Sequence, residues 1–133
     1  MKSVDTNIIV RLLVGDDAAQ NKAVIELLAR AERLQQPLRV LTIVVFETIW
    51  VLDRRYERTR KEIIDGLDNL SNLRALHFEH PQVIRDFIQM ARSTTTGLAD
   101  LIIGIYSLAD GCENVLTLDH KAARSDLFEK LKA

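Results

Sequence analysis

Cysteine is almost missing from this chain. Cys112 is the single one in 133 residues, so no internal disulfide can form, which fits a reducing cytoplasm. It has no accompanying histidine motif, which argues against a thiol nucleophile. His77, His80 and His120 are spread along the sequence without metal-ligand spacing. Five glycines and two prolines leave room for no linker or low-complexity tract. No repeat appears either, so residues 1–133 read as one domain. Neither charge sign dominates: 18 Lys and Arg stand against 19 Asp and Glu, with a pI near 6.3. A global basic footprint is therefore absent, although a local patch still suffices for nucleic acid. Long apolar runs are lacking as well. The opening MKSVDTNIIVRLLVGDD is broken by Asp5 and Arg11, too polar for a signal peptide and too short to span a membrane. The expectation is a soluble cytoplasmic protein. There is no GxxxxGK[ST] phosphate loop and no GxSxG elbow.

What is present is 47% hydrophobic and 28% charged, enough for a single well-filled core. Short extended runs alternate with helical periodicity. KSV (2–4), LRVL (38–41), RALHF (74–78) and NVLTL (114–118) read as strands. Ile8, Ile9, Leu12 and Leu13 recur at helical spacing. Asp17 with Gln20, and Thr59 with Glu62, open further helices as capping boxes. Pro81 suits the first position of another, GLADLIIGIYSLADG reads as a helix stopped by Gly111, and DHKAARSDLFEKL reads as a closing helix. Such alternation predicts an α/β layer fold with a parallel sheet, whose ligand sites gather beyond the carboxyl ends of the strands.

The stretch TIVVFETIWVL (42–52) carries one glutamate, Glu47, amid Ile43, Val44, Trp50 and Val51, with Val45, Ile49 and Leu52 on the opposite face. A helix apolar all round is normally buried. A lone carboxylate there needs a basic partner, a hydrogen-bond network or a metal ion. Trp50 reads as core. Asp5 follows the first strand and Asp119 the last, so both face one crevice if those strands are central neighbours. Glu47 lies about one helical turn beyond the second strand at the same edge, and Asp100 sits in the first turn of its helix. Asp5 and Asp119 equally suit helix N-caps, Asp100 suits a dipole partner at a helix start, and Glu47 suits a core ion pair. Clustered carboxylates without His or Cys form a hard oxygen site, matched to Mg²⁺ or Mn²⁺. In RRYERTRK (54–61), Arg54, Arg55 and their neighbours are candidates for phosphate contact or a solvated helix end. Lys121 and Arg124, beyond Asp119 and nearer the expected crevice, are further candidates for phosphate contact.

VDTNIIV with Asp5, VVFETIWVL with Glu47, GLADLIIG with Asp100 and NVLTLDHKAAR with Asp119 together resemble a PIN-domain ribonuclease. Order and spacing are most similar to the VapC-like toxins of toxin–antitoxin modules, over residues 3 to about 125. The resemblance implies an α/β/α sandwich with a central parallel sheet and a Mg²⁺- or Mn²⁺-dependent endoribonuclease site. Asp5 and Asp100 would be the principal metal ligands, Glu47 and Asp119 would complete the acidic pocket, and Asn7 and Thr117 would support it. It also implies an RNA substrate, a homodimer and a cognate antitoxin. Many relatives carry an extra acid three residues before Asp100, where this chain has Gly97, which puts a second metal ion in question. A Mg²⁺ phosphatase generally wants a second acid two residues after the first, and that position is Asn7. A PIN-like module kept only for binding RNA or protein is the alternative from a different functional class.

Overall fold

The computed structural model describes residues 1–132, so Ala133, the last residue of the expected domain, lies outside it. Two compact units divide the chain, the first being Met1–Pro81 and the second beginning at Gln82.

In the first unit, residues 2–4 run parallel to the strand β1 (Leu38–Val40), with Arg39 N donating to Lys2 O at 2.9 Å and Val4 N to Arg39 O at 3.0 Å. The expected KSV strand is thus a single bridge between Ser3 and Arg39. The chain turns into α1 (Thr6–Val14) at Asp5, whose backbone is extended and whose carboxylate accepts from Ile8 N at 3.2 Å. Gly15 ends that helix in the left-handed region (φ 64°), which glycine adopts without a Cβ penalty. Asp17 caps α2 (Ala18–Arg33) by accepting from Gln20 N at 3.0 Å. β1 then leads directly into α3 (Thr42–Arg54). Thr59 and Glu62 form the reciprocal capping box expected for α4 (Arg60–Ser71). The strand β2 (Leu76–Phe78) pairs parallel with β1, Leu38 opposite Leu76 and Val40 opposite Phe78. Helix α1 packs on α2 and α3, and α4 on α3 and β2. Val40, Val45, Ile49, Ile63, Leu67 and Leu76 are buried in this core, each stabilising by about 1.5–3 kcal/mol relative to exposure.

Helix α5 (Pro81–Ser93) starts at the last residue of the first unit, with Pro81 at its first position, and buries the stripe Val83, Ile84, Phe87, Ile88 and Ala91. In the second unit, α6 (Leu98–Ala109) ends before Gly111, which adopts φ 90°. The strands β3 (Val115–Thr117) and β4 (Phe128–Lys130) pair in parallel, Val115 opposite Phe128. The closing helix expected over 119–131 is instead a short 3-10 turn, Ala122–Arg124, followed by β4. Pairing with β3 and burial of Phe128 override the local helical periodicity there. Gly104 permits this packing: a Cβ at that position would meet Leu127 Cβ at 2.9 Å and Phe128 Cε2 at 3.1 Å. Helices with short parallel strands are the expected α/β class, and the pairing forms a two-stranded sheet in each unit.

Candidate acidic site

In the first unit, Asp5 and Glu47 are linked through one residue. The Thr6 hydroxyl, at the first position of α1, donates to Glu47 Oε1 on α3. Asp5 is exposed, with Oδ1 committed to the helix cap and Oδ2 unpartnered among the described residues. Glu47 is exposed as well, with Oε2 similarly unpartnered. This corrects the expectation of a buried glutamate. The face of α3 that is buried carries Val45, Ile49 and Leu52, whereas Ile43 is 73% and Trp50 48% exposed. The Glu47 charge therefore needs no core ion pair; solvent and the Thr6 hydroxyl meet it. Trp50 is likewise outside the core, with the Arg54 guanidinium 5.7 Å above its ring, a contact that holds both against the helix surface. Ile43, Val44, Phe46, Glu47 and Trp50 line a shallow groove of about 420 Å³.

The N-terminus of α3 has an acidic neighbour absent from the sequence reading. Leu41, the residue before the helix, offers no capping side chain. Glu79, just past β2, accepts from Thr42 N at 3.0 Å. That backbone hydrogen bond, aided by His80 and Arg39, holds the Glu79 carboxyl below its ordinary value. No sequence pattern marks it, because the partners are 37 residues apart. Thr6 is equally unmarked, since its partner Glu47 lies 41 residues away.

In the second unit, Asp100 stands half-buried in the first turn of α6, where the helix dipole favours a carboxylate. At Gly97, the residue before this helix, a Cβ would sit in ordinary contact with Asp100 Oδ2, at 3.6 Å. Asp119 is exposed after β3 and folds its own loop, with Oδ1 accepting from Lys121 N at 2.8 Å. Thr117 Oγ1 accepts from Asp119 N at 3.0 Å, so Thr117 orients that acid's backbone. Asn7, Lys121 and Arg124 are exposed. Among the basic residues of 54–61, Arg58 pairs with Glu62 at 3.4 Å, Lys61 with Asp65 at 2.6 Å and Arg54 with Asp53 at 3.9 Å, while Arg55 is exposed. The solvated-turn reading accounts for part of that run.

The structure joins Asp5, Thr6 and Glu47 in one unit and Thr117 with Asp119 in the other. Among the described residues, no group of three His, Cys, Asp or Glu side chains converges on a ligand set. The donors nonetheless suit a hard divalent cation: all are carboxylate oxygens, and each acid keeps at least one oxygen without an intramolecular partner among those residues. No helix among them is long and apolar enough to cross a membrane. The profile of the PIN domain matches residues 2–126. No curated protein matches the chain.

Proposed function

The chain belongs to the PIN-domain family, a nuclease fold, and we propose that it acts as a Mg²⁺- or Mn²⁺-dependent endoribonuclease, the VapC-like toxin of a toxin–antitoxin pair. The observation that carries this reading is the Asp5–Thr6–Glu47 arrangement: Ile8 N holds one oxygen of the exposed Asp5 carboxylate, the buried Thr6 beside it holds one of Glu47, and each acid keeps an oxygen open. Exposed carboxylates that cap or pair only through one oxygen remain free to ligate.

By their match to the family's motif positions, Asp5 and Asp100 are assigned as metal ligands, and Glu47 and Asp119 as further site acids. Bound Mg²⁺ or Mn²⁺ supplies Lewis-acid polarisation of the phosphoryl oxygen and eases deprotonation of water. Glu47 would join Asp5 in holding the cation through its open Oε2, and the Thr6 hydroxyl keeps its carboxylate from turning away. Asn7 and Thr117 support the strand ends that carry Asp5 and Asp119. Lys121 and Arg124, and separately Arg54 and Arg55, are exposed and are the candidate phosphate contacts. Water attacks phosphorus and gives up a proton to solvent. The P–O3′ bond breaks with O3′ taking a proton from solvent, and the products carry a 5′-phosphate and a 3′-hydroxyl. The 2′-hydroxyl takes no part in the chemistry, so selection of RNA rests on contacts around the acids.

A homodimer and an inhibitory antitoxin belong to the same reading. The exposed apolar residues of α3 support a protein partner, because contiguous exposed apolar surface marks interaction sites. The products test the chemistry: fragments should accept ligation at their 5′-phosphate without prior phosphorylation. Fragments ending in 2′,3′-cyclic phosphate would refute water as the nucleophile.

A further inference from the structure

We infer that Thr6 is the positioning residue for Glu47, fixing the carboxylate of α3 at the Asp5 end of α1 so that the two acids receive a divalent cation together. The inference rests on the reading of Asp5 and Glu47 as metal-site acids and adds the residue that joins them.

Three polar side chains are buried among the described residues: Thr6, Thr42 and Thr48. Thr48 satisfies its hydroxyl within its own helix, donating to Val44 O at 2.7 Å. Thr6 has no such local solution. It opens α1, so the residue four positions earlier, Lys2, is extended, and Lys2 O already accepts from Arg39 N. A buried hydroxyl without a partner is costly, and the partner it finds is Glu47, 41 residues away.

The consequence for Glu47 is larger than for Thr6. An exposed glutamate on a helix surface samples several rotamers. Here one carboxylate oxygen is tied to a donor only 7% exposed, whose backbone is the residue after Asp5. Motion of Glu47 relative to Asp5 is thereby restricted before any ligand arrives, and Oε2 stays open. Such outer hydrogen bonds orient metal-binding carboxylates and set affinity.

The test is Mn²⁺ binding to the purified full chain, followed by electron paramagnetic resonance of free Mn²⁺, beside thermal melting. Thr6→Val removes the donor and fills a similar volume. It should weaken Mn²⁺ binding by about 10-fold at an unchanged melting temperature, since Glu47 is exposed and water replaces the lost donor. Thr6→Ser, which keeps the hydroxyl, should bind as wild type does. In a Glu47→Gln background, Thr6→Val should cost nothing further. A Thr6→Val protein that binds Mn²⁺ as tightly as wild type overturns the inference, as does one that loses the same factor with Gln at 47. A lowered melting temperature with unchanged Mn²⁺ affinity assigns Thr6 to structure alone and overturns it too. Absence of Mn²⁺ binding by the wild-type chain would instead refute the metal reading of the acids, and this inference with it.

Discussion

Glu79→Ala removes the acceptor that closes the N-terminus of α3. The helix has no side-chain cap of its own, since Leu41 precedes it, and Glu79 accepts from Thr42 N at 3.0 Å. Losing a capping hydrogen bond costs about 1 kcal/mol, and losing a negative charge at a helix start costs about 0.3–1 kcal/mol more. Together these give about 1–2 kcal/mol. Unfolding entropy of about 2.1 cal/mol/K per residue over 133 residues converts this to a fall in melting temperature of about 4–7 °C. The pH dependence has a definite sign. Glu79 is held below its ordinary value, chiefly by the Thr42 amide, so its stabilisation is complete above the unfolded carboxylate pKa and is lost as pH falls through the folded value. The gap between wild type and Glu79→Ala, read by circular dichroism melts, should be full at pH 7 and close below about pH 4. Glu79→Gln, which keeps an acceptor without the charge, should lie between them. A Glu79→Ala protein as stable as wild type at pH 7, or a gap that widens in acid, would refute this role.

Asp5→Asn should abolish RNA cleavage while leaving the melting temperature unchanged, because asparagine caps a helix as well as aspartate does. Residual full activity would remove Asp5 from the site. Glu47→Gln should lower activity at nearly constant stability, since Glu47 is exposed; a marked loss of stability in denaturant titration would restore a structural role. Thr59→Ala breaks the reciprocal cap of α4 and should cost about 1 kcal/mol, read as a lower urea midpoint at unchanged slope. Gly97→Asp meets no clash, since a Cβ there lies in ordinary contact with Asp100 Oδ2 at 3.6 Å, and adds a second carboxylate beside it. Its Mn²⁺ affinity, measured by calorimetry, should rise, and an unchanged affinity would count against Asp100 as a ligand.

Local chemistry made much of the fold legible. Asp5, Asp17 and Thr59 cap the helices they precede, Pro81 opens α5, and Gly111 lies just past α6. These features act over a few residues, so the sequence displays them directly. Features decided by distant partners were not legible. TIVVFETIWVL is apolar on both faces, and only packing on α1 and α4 decides that Val45 and Ile49 go inside while Ile43 and Trp50 face solvent. Residues 119–131 carry a helical pattern that pairing with β3 overrules. Glu79 and Thr6 owe their positions to partners 37 and 41 residues away, so spacing could not reveal them. The candidate acids were legible by residue type and order, whereas the hydrogen bonds that orient them were not.

Cleavage of a mixed RNA pool by the purified chain, with Mg²⁺, with Mn²⁺ and with EDTA, tests the central claim most directly. Asp5→Asn/Asp100→Asn purified in parallel controls for contaminating nuclease. The predicted result is cleavage with either metal, none in EDTA, and none by the double variant under any condition. Cleavage that persists in EDTA, or that the double variant retains, would contradict the assignment of a metal-dependent nuclease to these acids.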